Sequence, residues 1–227
     1  MKDNYTHICC ITDRSGSMRS IQDEVIGGFN TLVEQQRKEP GECTMTYVQF
    51  DNEYEIVFAD TPLDRIPELT KETFVPRGMT ALLDAVGRTV VRQGEWLAAM
   101  DEADRPSKVI CLIITDGQEN ASHEYKLEQI HDMIQHQTNK YAWEFVYLGA
   151  DDKAFEEARN MGLKAGNVAK FAGTHAGTRA AYGVASQALS SYRKGGNVDS
   201  LIRDATQRQQ DVAGSLEIPT DDSDESN

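Results

Sequence analysis

Two stretches of the chain consist almost entirely of apolar residues, HICCIT at 7–12 and VICLIIT at 109–115. Strands that lack an alternation of apolar and polar residues are buried on both faces, as they are at the centre of a parallel sheet. We therefore expect these two stretches to be the most deeply buried strands of the protein.

Shorter apolar stretches predict additional strands. Residues 43–50 and 54–58 flank Asp51 and Asn52, whose side chains are typical of a turn, and together they predict a β-hairpin. The pattern predicts two more strands later in the chain, at 143–148 and 167–172.

Helical patterns lie between the predicted strands. From Ser17 to Lys38 the apolar residues recur at steps of three and four, which places them on one face of a helix. We expect Ser17 to cap this helix, because a serine hydroxyl can accept a hydrogen bond from an unpaired amide of the first turn. The same periodicity predicts further helices at 80–100, 123–137, 152–161 and 177–193, and a short one around 198–210.

This alternation of strands and helices predicts an α/β fold, in which an open sheet carries helices on both faces. The chain shows no internal repeat and no linker, so a single domain is expected over 1–213. Residues 214–227 are acidic and poor in apolar side chains, and they are predicted to form a disordered tail.

The charge of the chain bears on its partners. The formal net charge is −14, and without the five acids of the last segment 23 basic residues still face 32 acidic ones, a charge of −9. Nucleic acids and anionic membranes attract basic surfaces, so neither is expected as a partner. No stretch approaches the roughly 18 apolar residues that span a bilayer. The N-terminus lacks the pattern of a secretory signal, so a cytoplasmic location is expected.

The four cysteines, Cys9, Cys10, Cys43 and Cys111, lack the Cys-x-x-Cys spacing of zinc and redox sites. Three of them lie in apolar strand-like stretches, where cysteine behaves as a small buried hydrophobic residue. We expect all four to be reduced thiols.

Oxygen-bearing side chains follow the two most apolar strands. Asp13, Ser15 and Ser17 come directly after the first one, and Asp116 closes the second. Thr80 opens a predicted helix after the loop 75–79. If the two strands are neighbours, these side chains meet at the carboxyl edge of the sheet, where open α/β sheets bind ligands. Carboxylate and hydroxyl oxygens suit a hard cation such as Mg²⁺, which takes about six oxygen ligands.

The sequence Asp-x-Ser-x-Ser, followed by a distant threonine and a distant aspartate, resembles the metal-ion-dependent adhesion site of von Willebrand factor type A domains. The resemblance covers about residues 5–190 and is to stand-alone bacterial or bacteriophage members in a general way. It implies a Rossmann-like, mostly parallel sheet of six strands with one antiparallel edge strand, at 54–58.

The resemblance also implies a function. Ser15, Ser17 and Thr80 would bind Mg²⁺ or Mn²⁺ directly, while Asp13 and Asp116 would act through water. A cation held by neutral hydroxyls keeps much of its charge, so a Glu or Asp of a partner protein would complete its coordination. The chain is then a metal-dependent protein-binding module and not an enzyme, and an AAA-type ATPase is one possible partner.

Two alternatives stay open from the sequence. The first is a Mg²⁺-dependent hydrolase or phosphatase on a similar sheet. The resemblance here is to haloacid-dehalogenase-type phosphatases, whose motif is Asp-x-Asp and whose second carboxylate acts as acid and base, but this chain has Ser15 at that second position. The second is a scaffold whose metal site is vestigial. No phosphate-binding loop, dinucleotide-binding motif or nucleophile elbow occurs in the chain.

Overall fold

The sheet has six strands, in the order β3-β2-β1-β4-β5-β6. The computed structural model describes residues 1–150, 153–196, 198 and 202. The strands are β1 Lys2–Asp13, β2 Glu42–Phe50, β3 Tyr54–Pro62, β4 Pro106–Thr115, β5 Glu144–Gly149 and β6 Val168–Lys170. Neighbouring strands are parallel except β2 and β3. The predicted Rossmann-like sheet with an antiparallel edge strand is therefore confirmed.

The two most apolar stretches of the sequence are the central pair of the sheet. β1 and β4 pair in parallel, with Ile8 opposite Ile110 and Thr12 opposite Ile114. Residues 7–12 and 109–115 are all buried. Strands covered on both faces have no solvent side for polar residues, which explains why the sequence lacks alternation there.

Helices cover both faces of the sheet. They are α1 Gln22–Arg37, α2 Leu82–Ala99, α3 Leu127–Tyr141, α4 Ala154–Asn160 and α5 His175–Arg193. The first and last, α1 and α5, share one apolar cluster with Ile8 and Cys10. The other three share a second cluster with Cys9 and Ile11. The neighbours Cys9 and Cys10 thus face opposite layers, as side chains of a strand must.

The start of the first helix differs from the prediction. A 3-10 turn occupies Gly16–Ile21 and the α-helix begins at Gln22. The predicted cap by Ser17 is wrong, because its hydroxyl donates to the carboxylate of Asp116. A charged acceptor makes a stronger hydrogen bond than a neutral partner, so the long-range contact prevails over the local cap.

Several predicted segments lie partly or wholly outside the described residues. These are the start of the helix predicted at 152–161, most of the short helix around 198–210, the domain end at 213 and the acidic tail 214–227. Val198 and Ile202 are described, and both are buried in the cluster that α1 and α5 share. No helix in the described part of the chain is both long and apolar enough to span a bilayer.

Candidate metal site

The candidate site lies where β1 and β4 end side by side. Asp13 is the last residue of β1, is fully buried and accepts two hydrogen bonds. Its Oδ1 accepts the backbone N–H of Ser15 at 2.6 Å, and its Oδ2 accepts the hydroxyl of Thr115 at 2.6 Å. These bonds fix the carboxylate between the first loop of the site and the end of the neighbouring strand.

Two serines and the second aspartate continue the site. The hydroxyls of Ser15 and Ser17 are 3.0 Å apart, and the Ser17 hydroxyl donates to Oδ1 of Asp116 at 2.6 Å. Ser15 is buried, Asp116 is half-buried and Ser17 is exposed. The three side chains therefore run from the interior of the sheet edge to its solvent side.

Thr80 completes the predicted set from a third loop. A side-chain carbon at Gly117 would lie 3.1 Å from Oγ1 of Thr80, 3.6 Å from Oδ2 of Asp13 and 3.7 Å from Oγ of Ser17. Oxygen atoms of three residues, from the end of β1 with its loop and from the loop before α2, thus lie within 4 Å of one point, which is open because residue 117 has no side chain. The structure brings all five predicted residues together.

The two carboxylates of the site are in an environment that disfavours their charge. The pKa of Asp13 is raised to about 6, mainly by burial and also by the neighbouring carboxylate of Asp116, against the lowering effect of the hydrogen bonds from Thr115 and Ser15. Burial also raises the pKa of Asp116, against the hydrogen bond from Ser17. A cation between these groups would remove both penalties, because an opposite charge favours the ionised form.

The donor set suits a hard divalent cation. Two carboxylates and three hydroxyls are oxygen ligands of the kind that Mg²⁺ and Mn²⁺ prefer. Among the described residues no group of three or more His, Cys, Asp or Glu side chains could hold a metal ion. The site at the end of β1 and β4 differs from such groups because hydroxyls make up most of its donors.

Further residues hold the three loops of the site, and few of them are recognisable from the sequence. Asn120 exchanges two hydrogen bonds with the backbone of Thr80, at 2.9 and 3.0 Å. Glu119 accepts the backbone N–H of Leu83 in the first turn of α2. Asp84 accepts three backbone N–H groups, those of His123, Glu124 and Tyr125. In the sequence, the only indication of these roles is that the three residues are polar and lie close to Asp116 or Thr80.

Arg14, inside the first motif, is turned away from the site entrance. It is 5 % exposed, its Nε donates to Asp51 at 3.0 Å and its Nη1 contacts Glu55. Arg77, on the loop before Thr80, does reach solvent, and its side chain is 52 % exposed. Of these two arginines, only Arg77 thus presents its side chain to solvent.

The fold has counterparts among solved structures. A von Willebrand factor type A protein from Catenulispora acidiphila matches 84 % of this chain and 43 % of its own length, with a TM-score of 0.59 and 14 % identity. Proximal thread matrix protein 1 from the mussel byssus, in its crystal form 2, matches 84 % of this chain and 47 % of its own, with a TM-score of 0.56 and 13 % identity. A structure of the same mussel protein with a zinc-occupied metal-ion-dependent adhesion site (MIDAS) motif matches 82 % of this chain and 47 % of its own, with a TM-score of 0.54 and 14 % identity.

The chain thus has the fold of von Willebrand factor type A domains. It spans less than half the length of each of these three solved chains. No protein-family model and no curated protein sequence matches it.

Proposed function

We propose that this chain is a metal-dependent protein-binding module. In this proposal Ser15, Ser17 and Thr80 bind Mg²⁺ or Mn²⁺ directly, while Asp13 and Asp116 act through water. The observation that carries the proposal is the convergence of oxygen atoms of Asp13, Ser17 and Thr80 beside Gly117, to which the hydrogen bond from Ser17 joins the carboxylate of Asp116. The zinc-occupied MIDAS motif named for the mussel protein supports a divalent cation at this edge of the fold.

The bound cation would then carry the interaction with the partner. Three of the five proposed donors are neutral hydroxyls, so the cation keeps positive charge toward an open coordination position. A carboxylate is the ligand that a hard cation prefers there, so the partner would supply Glu or Asp. The formal charge of −14 argues against long-range attraction of an acidic partner. Recognition would therefore depend on the metal itself, at short range.

The surface beside the site also suits a protein partner. Val75 and Met79 are 50 % and 55 % exposed, and both lie on the loop that leads into Thr80. Exposed apolar residues beside a polar site are typical of interaction surfaces. We expect the partner's acid to be flanked by an apolar side chain that packs on this loop.

The first experiment measures thermal unfolding in EDTA, Mg²⁺, Mn²⁺ and Zn²⁺. A ligand that binds only the native state raises the melting temperature by mass action. The wild type should be stabilised by Mg²⁺ and Mn²⁺, and Asp116→Ala, at a half-buried position, should lose this stabilisation while remaining folded in EDTA. Equal metal-induced shifts in the wild type and in Asp116→Ala would contradict the proposed site.

A second experiment separates binding from catalysis. A generic phosphate ester should not be turned over in the presence of Mg²⁺, whereas turnover that Asp13→Asn abolishes would favour the hydrolase. A folded wild type that none of the three metals stabilises would favour a scaffold with a vestigial site.

A further inference from the structure

Asp51 is a buried carboxylate outside the proposed donor set. It lies in the turn between β2 and β3, and its side chain is 1 % exposed. Its Oδ2 accepts hydrogen bonds from Nε of Arg14 at 3.0 Å and from Nε of Arg77 at 2.9 Å. Its Oδ1 accepts the backbone N–H of Glu53 at 2.6 Å. One carboxylate thus bridges two guanidinium groups from different loops.

The two arginines belong to the loops that carry the proposed hydroxyl ligands. Arg14 lies between Asp13 and Ser15, and Arg77 lies three residues before Thr80. The backbone joins the same two loops, because the N–H of Arg77 donates to the carbonyl of Arg14 at 2.8 Å. The β2–β3 turn also contacts the residue after Thr80, because the carbonyl of Asp51 accepts the N–H of Ala81 at 2.8 Å.

We propose that Asp51 is a positioning residue of the metal site, which holds Thr80 against Ser15 and Ser17 through Arg77 and Arg14. The inference rests on the proposed function and adds to it a reason why the site needs an acid that does not face the metal. Residues that hydrogen-bond to the direct ligands commonly raise metal affinity, because they hold the ligands in the orientation that binds the ion.

Arg77 offers the sharpest test, because charge and positioning predict opposite results. Arg77 is a cation on a loop of the site, so if its charge alone mattered, its removal would strengthen the binding of a divalent cation. If it positions Thr80, its removal weakens binding. Its side chain is half exposed, so Arg77→Ala buries no unpaired group at that position and should leave the protein folded.

The experiment titrates each purified protein with Mn²⁺ and follows free Mn²⁺ by electron paramagnetic resonance. Arg77→Ala and Asp51→Asn should each lower Mn²⁺ affinity by about tenfold, the lower end of the range for groups behind metal ligands. Arg92→Ala is the matched control. It also removes one arginine charge, its side chain is 40 % exposed, and it pairs with Asp60, at the end of β3 opposite the Asp51 turn. This control should bind Mn²⁺ as the wild type does.

A double-mutant cycle tests the route through Thr80. In the background of Thr80→Ala, Arg77→Ala should cause no further loss of affinity, because the group that it positions is gone. Losses that add in full would overturn the inference, and so would an Arg77→Ala protein that binds Mn²⁺ as well as the wild type or better.

The two proposals fail in different ways. If the wild type does not bind Mn²⁺, or if Asp116→Ala and Thr80→Ala bind it as the wild type does, the proposed site is wrong and the role of Asp51 falls with it. If those two variants lose binding while Arg77→Ala and Asp51→Asn keep it, the metal site stands and the positioning role of Asp51 is wrong.

Discussion

The hydroxyl of Ser17 donates a 2.6 Å hydrogen bond to the carboxylate of Asp116, 99 residues later in the chain. The bond joins the loop after β1 to the end of β4. Ser17→Ala should therefore weaken metal binding in two ways, because it removes a proposed ligand and frees the carboxylate. Mn²⁺ affinity should fall by tenfold or more. Ser20→Ala is a matched control, since its exposed hydroxyl bonds only to the backbone carbonyl of Ser17. Unchanged Mn²⁺ affinity in Ser17→Ala would remove this serine from the site.

Gly117 is a second test of the converging oxygens. A methyl group at this position would lie 3.1 Å from Oγ1 of Thr80, which is closer than most carbon contacts in proteins. Gly117→Ala should weaken the metal-induced rise in melting temperature, because the methyl group enters the space among the proposed ligands. Gly94→Ala is the control, since the nearest atom to its added carbon is 3.8 Å away. A full metal-induced shift in Gly117→Ala would argue that the cation sits elsewhere.

The raised pKa of Asp13 predicts a pH dependence. In the metal-free protein its pKa is about 6, against 3.8 for an ordinary aspartate, mainly because the group is buried. A carboxyl group whose native pKa is raised stabilises the fold at low pH, and this contribution is lost as the pH rises through the native pKa. In EDTA, the wild type should therefore lose stability relative to Asp13→Asn as the pH rises from about 4 to 6.

Metal binding should follow the opposite trend, because the cation needs the ionised carboxylate. The rise in melting temperature with Mg²⁺ should be small at pH 5 and complete near pH 7.5. Thermal unfolding in paired EDTA and Mg²⁺ samples across this range measures both effects. A metal-induced shift that is the same at pH 5 and pH 7.5 would contradict the role of Asp13.

Met79 should separate partner binding from metal binding. Its side chain is 55 % exposed and directly precedes Thr80. Met79→Ser should keep the metal-induced thermal shift and lower the affinity for a partner that binds in Mg²⁺ and is released by EDTA. Tyr141→Ser is a control at the other end of the sheet, where a 53 % exposed aromatic side chain ends α3. Equal losses in both variants would mean that the loop before Thr80 has no special part in binding.

The cysteines should be unreactive in the native protein. All four are free and buried, and burial raises the pKa of Cys10 and of Cys43 to about 12. The thiolate is the reactive form, so labelling by a thiol-specific disulfide reagent at pH 8 should be negligible until the protein unfolds. Four labelled thiols should then appear in denaturant. Rapid labelling of the native protein, or fewer than four thiols after unfolding without reductant, would contradict this assignment.

The sequence by itself determined the sheet, its central strands and the position of the proposed ligands along the chain. Apolar stretches without alternation identified β1 and β4, and the polar residues that follow them identified Asp13 and Asp116 as candidates that meet if the two strands are neighbours, which the strand order shows them to be. These features depend on local patterns, because burial on both faces and turn chemistry act over a few residues. The pattern was weakest where the structure is shortest, at β6, whose three residues leave little room for periodicity.

Only the tertiary structure decided which polar side chains meet. Ser17 is a plausible helix cap in the sequence, but the neighbouring strand brings Asp116 within reach of its hydroxyl. Arg14 lies inside the first motif, but its side chain is buried because it forms a hydrogen bond with Asp51 of the β2–β3 turn. Such pairings join residues 37 to 99 positions apart. They depend on strand order and on how the loops pack. A buried charged group must be paired or hydrogen-bonded, and the fold determines which group lies close enough to pair with it.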